Sequence, residues 1–440
     1  MKTHRAILSL VLCAMSLIGF SQDFARMSEQ SISGTARYVG MGGAMSAIGG
    51  DPSAVMDNVA GLGLYRRAEL LVTFEELIDK TWQVGMDEYD LHHSFMCPQA
   101  SAVFSVPMNN TTGKGVLFNN FMISYHRKHN YDRTLYGRGG SDASLGALLP
   151  ALDIPFCTDA KNRSNELDLW EIGSSNIFSI DWAMNISNQW YVGAGIRMLY
   201  SSMTSEGKYE ENFFSKNAQG EVMYNQNISS LRFSSFTCGF SAGLIYRPTG
   251  WLRLGLGIQT PSLGNLSMFT SGRLVAMTDS LRTSYAPDAS SRDSKFHMPL
   301  HVSSSVAFQI SAYGLIGLQY DYSYQPHGDS FHSLRAGVEV IPVMGMYINA
   351  GYAFESKFNG ANTPVPMDSS FDRQDTYFVH PKWSHNVSVA IGYRGEYMLF
   401  QAAYQYRLQR INLYAHEAAN PYDMHADTHR IVFTLGWHRN

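Results

Sequence analysis

Beyond residue 20 the chain has no apolar run of 18 residues, so no bundle of hydrophobic helices can carry it through a bilayer. The mean hydropathy of -0.16 agrees with that exclusion. Charge is also scarce: Asp, Glu, Lys and Arg make up 16% of the residues, against ~25% in ordinary soluble domains. The 33 basic and 37 acidic residues leave a net charge of -4, without the basic excess that a nucleic-acid partner calls for. Cysteine is nearly absent. Of the 4 in the chain, Cys13 lies in the leading apolar run, which leaves Cys97, Cys157 and Cys238. An odd number without CxxC spacing excludes both a disulfide framework and a zinc site. No HExxH and no carboxylate pair with supporting context occurs, so no catalytic residue, cofactor or metal is expected. His92-His93 and the pair His126 and His129 read as loop or girdle histidines rather than metal ligands.

Present in quantity are aromatic residues, at 13%, with 25 Tyr, and 38 Gly. Lys2, His4 and Arg5 precede an apolar run over 6–20, with Ser21-Gln22 as a cleavage point, so residues 1–21 read as a signal peptide. After it, the dominant pattern is strict alternation. Trp383, His385, Val387, Val389, Ile391 and Tyr393 alternate with Ser384, Asn386, Ser388, Ala390, Gly392 and Arg394. Phe400, Tyr404, Phe433 and Leu435 fall on apolar faces, whereas Gln401, Gln405 and Arg407 fall on polar ones. Aromatics at strand ends (Trp190, Trp251, Trp383, Tyr393 and Trp437) suit an interfacial girdle, and the runs are long. Tight connections at 187–189, 247–250, 311–312, 341–344 and 394–397 alternate with long ones at 128–171, 206–230, 261–296, 356–382 and 412–427. That is the rule of short periplasmic turns and long extracellular loops. With 269–277 assigned to an extracellular loop, the count is even. The expected fold is all-β: a 14-stranded antiparallel transmembrane β-barrel over 65–440, monomeric, in the cell outer membrane.

Residues 22–64 show no alternation and are rich in small side chains. Gly40, Gly42 and Gly43 do not fit GxGxxG, and no βαβ unit surrounds them. Asp51 followed by Pro52 marks a helix start running through Val55 to Asp57. The piece is small enough to fill a barrel lumen. Its Gly34-Thr35-Ala36, the Gly-Met-Gly-Gly-Ala run of 40–44, Gly50-Asp51 and 58–61 resemble the N-terminal hatch of the FadL/TodX family. That family comprises outer-membrane channels for long-chain fatty acids and other hydrophobic compounds. Tyr246-Arg247-Pro248 and the run 254–261 resemble the family's strand, turn and strand ending in Pro.

The resemblance implies a hatch plug over 22–64 and passive uptake of hydrophobic molecules or lipids, with sideways exit through a gap in the wall. It implies a ligand path shaped by Gly42, Met45, Asn58, Val59 and Ala60. One position departs: Val59 stands where the family has Pro, which restores a backbone N–H and frees φ. Arg197, Arg253, Arg335, Arg394, Arg407, Asp321 and Glu339 fall on polar faces. They read either as an Arg–carboxylate network bracing barrel and hatch, or as holding one unpaired Arg for a fatty-acid carboxylate. The apolar loop segment 145–154 reads as a groove for incoming ligand or as a self-packed loop. The other function class is a non-transporting scaffold that binds an envelope protein. A closed, filled lumen would favour that class.

Overall fold

The computed structural model describes residues 31–109, 113–139, 163–216, 222–277, 282–286, 288–324, 330–358, 377–416 and 419–439. The signal peptide, Cys157 and the segment 145–154 lie outside them.

A sheet in hydrocarbon must pair every backbone N–H and C=O and can leave no edge, which forces closure. The wall strands are β1 Ala68–Gln83, β2 Tyr89–Pro107, β3 in two pieces (Val116–Asn130 and Arg133–Gly139), β4 Arg163–Ile186, β5 Trp190–Lys216 and β6 Val222–Tyr246. They continue as β7 in two pieces (Leu252–Gln259 and Leu263–Met277) and β8 in three (Arg282–Tyr285, Ser290–His297 and Leu300–Ile310). The remainder are β9 Gly314–Tyr324, β10 Ser330–Val343, β11 Met346–Phe358, β12 Phe378–Arg394, β13 Met398–Tyr414 and β14 Tyr422–Arg439. All pairings are antiparallel, and β14 returns to β1 from Ala68↔Arg439 to Gln83↔Met424, closing a 14-stranded barrel.

Two sequence readings are corrected. Residues 269–277 are not loop but the distal part of β7, paired with β6 from Leu231↔Thr270 to Tyr224↔Met277. The ladder breaks at Thr260-Pro261-Ser262, where Pro261 has no N–H to give, so one strand reads as two. The described residues of 128–171, 206–230 and 261–296 are also largely strand. β3 resumes over Arg133–Gly139, β4 starts at Arg163, β5 runs to Lys216 and β6 starts at Val222. On the outward face of β5 here, Glu206, Lys208 and Glu210 replace apolar residues, which erases the two-faced signal while the backbone ladder goes on.

The short connections turn tightly because their residues accept left-handed backbone. Ser187 and Asn188 have φ of 55° and 56°, as a type I′ hairpin requires. Outward faces are apolar: Val389, Ile391, Phe400, Tyr404, Phe433 and Leu435 are all exposed, whereas Asn386, Gln401 and Gln405 are buried inside. Trp190, Trp251, Tyr393, Tyr397 and Trp437 ring the short-turn end. Val389→Arg is expected to cost ~2–4 kcal/mol of barrel stability, because the charge would lie in hydrocarbon. Denaturant unfolding of the variant in vesicles checks it, and an unchanged midpoint would contradict the assigned register.

Candidate functional site

Residues 31–65 lie inside the lumen, in three short capped pieces. Helix α1, Ala36–Gly40, is capped by Thr35, whose side chain accepts from Tyr38 N at 3.2 Å. Helix α2, Pro52–Asp57, is capped by Asp51, which accepts from Ser53 N at 2.8 Å, as the Asp-Pro pair in the sequence implies. A 3-10 turn, Val59–Leu64, is capped by Asn58, which accepts from Ala60 N at 3.1 Å. Val59 is the first residue of that turn, where the N–H has no intrahelical acceptor and Pro fits well. Thr35 donates to the Asp51 carboxylate at 2.7 Å and so ties the first cap to the second. Burial pushes the Asp51 carboxyl up, against the opposing charge of Arg37 and the bonds from Thr35 and Ser53.

The small residues of this segment are met by small residues on the wall. Gly193, Gly243 and Gly257 stand opposite one another across β5, β6 and β7. Gly317, Gly337 and Gly351 do the same across β9, β10 and β11. A Cβ at any of the six would press into the hatch, at Val59, Asn58, Asp57, Ala44, Met41 and Gly42 respectively. Gly42 itself has φ +60°, and a Cβ on it would come within 2.7 Å of Tyr352 N. The wall glycines were legible as glycines on polar faces, but only the register aligns them into two rows.

Charge then fixes the seated hatch. Arg335 lies 3.1 Å from Asp321 and 3.3 Å from Asp57 of α2, and donates to the Tyr38 hydroxyl at 2.9 Å. Tyr38 donates to Asp57 at 2.7 Å, and Gln319 donates to both Asp57 and Asp321. Glu339 takes a two-pronged bond from Arg37 of α1, at 2.6 and 2.9 Å. Arg197 donates to the carbonyls of Val55, at 2.9 Å, and Met56, closing the C-terminal end of α2. Arg253 donates to Ile48 O at 2.9 Å. The wall residues Arg407 and Arg394 bind Glu355 and Glu69, at 3.4 and 3.2 Å, away from the hatch. All five arginines named from the sequence therefore have protein partners. Two charged residues join them: Arg37 itself, and Arg430, which donates to Ile32 O and lies 3.2 Å from Glu75. Asn58 donates to Ser46 O and Leu244 O, and Ala60 packs against Tyr191 and Ile245, while Met45 and Val59 are fully buried.

Above the hatch the β2–β8 side of the lumen carries an apolar cluster, while Asp321, Glu355, Arg407, Glu75 and Arg430 line the opposite side. Val55, Met56, Val59, Leu62 and Tyr65 join one cluster with wall residues that include Val103, Met122, Tyr131, Met203, Met268 and Met298. Unbranched thioethers fill irregular space and repack cheaply. At the long-loop end a second apolar cluster crosses the lumen. In it Tyr422 lies over Gly137 and donates to Asn165 at 2.9 Å, and Tyr377 lies over Gly207 and donates to Ser205 O at 3.0 Å.

Among the described residues, β2 and β3 leave a long seam in the wall. β2 and β3 pair only from Gln99↔His126 to Pro107↔Phe118. Beyond Pro98, β2 pairs with β1 alone, and the distal piece of β3 pairs with β4 alone. That distal piece leans over the inner side of β1, where Thr81 donates to Thr134 O at 2.8 Å and Gln83 donates to Arg138 O at 2.7 Å. Only side chains span the seam. Asn130 donates to Ser94 at 3.2 Å, Ser94 donates to Asp132 at 3.3 Å, and Arg127 meets the Met96 sulfur at 3.3 Å. A cavity of about 310 Å³ lies at the loop end of the seam, between the β1–β2 hairpin (Thr81, Trp82, Glu88, Tyr89 and Asp90) and Tyr136 of β3.

No group of three or more His, Cys, Asp and Glu side chains is arranged to hold a metal among the described residues. Gly239-Phe240-Ser241-Ala242-Gly243 has the spacing of a hydrolase nucleophile elbow. It lies within β6, where Ser241 is paired on both sides, so no strained strand-to-helix turn presents its hydroxyl.

No family model matches the sequence, and no curated protein matches it. Solved structures do match. A Pseudomonas aeruginosa FadL homologue superposes with a TM-score of 0.58 at 13% identity, over 93% of this chain and 98% of that one. The barrel shares the fold of the FadL/TodX channels. The CymD monoaromatic hydrocarbon channel gives 0.54 at 12% identity, over 94% and 99%. The Ralstonia pickettii toluene transporter TbuX gives 0.54 at 12%, over 93% and 99%. In this FadL-type barrel the two glycine rows are the most sensitive test of hatch seating. Gly351→Val is expected to destabilise the barrel by ~1–3 kcal/mol through overpacking against Gly42. Thermal unfolding in detergent measures it, and an unchanged midpoint would show that the hatch does not rest on β11.

Proposed function

We propose that this protein is an outer-membrane channel for hydrophobic molecules, with the β2–β3 seam as its lateral door. One observation carries the reading. The Met-rich apolar cluster above the hatch includes Tyr131, at the break in β3 that borders the seam, and the ladder pair Val103 and Met122 just below it. An apolar solute in this cluster would therefore reach the hydrocarbon sideways without crossing the polar hatch. Passage needs only side chains to move at the seam, since no backbone hydrogen bond joins β2 and β3 there. Desolvation of the solute supplies the driving force, at roughly 25 cal/mol per Å² of apolar surface. No covalent step is required. Long-chain fatty acids and small aromatic hydrocarbons both suit such a cluster. The FadL homologue and the toluene and monoaromatic hydrocarbon channels that share the fold support this reading. The barrel acts as a monomer, with its hatch as a fixed floor.

A second reading has its own observation. The cluster under Tyr377 and Tyr422 closes the mouth of the lumen, as a non-transporting scaffold for an envelope partner would have it. Cross-linking the seam separates the two. In a Cys97→Ser background, Ser94→Cys with Asn130→Cys is expected to form a disulfide across the door and abolish uptake of labelled fatty acid or toluene by cells that lack the native copy. Reduction is expected to restore it. Uptake that persists through the oxidised door would overturn the lateral route. A strain whose uptake does not depend on the protein at all would favour the scaffold.

A further inference from the structure

Well above the hatch, five residues on five adjacent strands form a row along the ladder on the outside of the barrel. Trp383 of β12 stands opposite Arg410 of β13, Arg410 opposite His425 of β14, His425 opposite Trp82 of β1, and Trp82 opposite Tyr89 of β2. Period two assigns all of them to the lipid side, since they share parity with the exposed Val389, Phe400, Phe433, Leu70 and Phe95 of the same strands. Height follows from the ladder. His425 is twelve residues along β14 from Trp437 of the short-turn girdle. At ~3.3 Å per residue and a tilt near 40°, that is about 30 Å along the membrane normal, just past an apolar band ~25 Å tall. Because the strands are tilted, the row climbs by about 3 Å per strand from Trp383 to Tyr89. Lys382, Arg410 and Lys80, the last two residues lower on its strand than Trp82, are nearly level and stand where the outer-leaflet headgroups begin, with Trp82 and Tyr89 just above.

Its chemistry is cationic and aromatic. Arg410 donates to Asp423 at 2.9 Å, and Lys382 lies 3.9 Å from the same carboxylate, so two cations share one acid. The Lys80 ammonium lies over the Tyr89 ring at 4.2 Å and the Trp82 ring at 5.5 Å, and Asp427 stands opposite it in the ladder. His425 packs on Trp82 with ring centres 5.4 Å apart. Three permanent cations thus face two carboxylates, in a strip flanked by three large rings.

We propose that this row docks the phosphate-bearing headgroup of an outer-leaflet lipid. Arg410, Lys80 and Lys382 meet the phosphate oxygens, and Trp383, Trp82 and Tyr89 pack against the glycerol or sugar beside them. Charge selects the phosphate, because the strip carries an excess of cation at the one level where lipid phosphates lie. Position selects a lipid over a soluble anion, because apolar wall continues directly beneath the row.

The test is native mass spectrometry of the full barrel, released from detergent with equal amounts of dioleoyl phosphatidic acid and dioleoyl phosphatidylcholine. Phosphatidic acid is expected to be retained in preference. Lys80→Gln with Arg410→Gln is expected to cut that retention roughly tenfold, the loss of one charge-assisted contact or more. Heat-modifiable gel mobility reports whether the double variant folds. If it does not, Lys80→Gln alone is expected to lower retention in part. Equal retention of the two lipids, or retention untouched by the substitutions, would overturn the proposal. Displacement of the bound lipid by inorganic phosphate would also overturn it, since the strip would then be an anion site and not a lipid dock.

Discussion

Backbone pairing in hydrocarbon is the constraint from which the rest of this structure follows. Each strand must have a partner on both sides, so β14 closes on β1 and the chain becomes a tube. A tube of this width cannot be filled by its own inward side chains, and the space is taken by a folded segment of small residues. Where pairing is suspended, the wall needs another arrangement. At the β2–β3 seam the distal piece of β3 leans inward and finds bonds on Thr81 and Gln83, and side chains alone bridge the remaining gap. This departure from the rule is where the proposed route for apolar solutes opens.

The hatch is held by shape first and charge second. Six wall glycines let its backbone come into contact with the ladder, and any larger residue there would lift it away. Arg335 then takes its Asp57 carboxylate, Arg197 and Arg253 take its carbonyls, and Glu339 takes the Arg37 guanidinium. Buried charges of this kind are costly unless paired, and removing one partner leaves the other exposed to that cost. The arrangement reads as a specific seat and not as a loose plug. The cap at Asn58 shows why Val59 is tolerated there: the first residue of a short turn needs no N–H acceptor, so Pro and Val suit the same backbone.

Much of this was legible in the sequence because lipid enforces a two-faced strand. β12, β13 and β14 show it plainly, with Val389, Phe400 and Phe433 outward and Ser388, Gln401 and Thr434 inward. The signal fails where the enforcement stops. Past the bilayer, Glu206, Lys208 and Glu210 occupy outward positions, and a long hairpin looks like loop. At β7 the strand pattern of 269–277 is present, but Pro261 separates it from the lower half, so one strand reads as two and the count comes out odd unless one piece is loop. Small residues in the N-terminal segment pointed to a hatch, whereas the glycine rows that seat it need register, which no single strand reveals. The β2–β3 seam is likewise a property of pairing, although Pro98 on β2 and the Tyr131-Asp132 break in β3 mark its edges.

The central claim is that residues 31–65 are folded and seated inside the wall, held by glycine contact and by Arg335 and Glu339. Amide hydrogen exchange of the barrel in detergent micelles measures this directly. Protection across Ala36–Gly40 and Pro52–Asp57 matching that of the wall strands is the expected result. Exchange of these amides at the rate of an unstructured chain, beside a protected wall, would contradict the account.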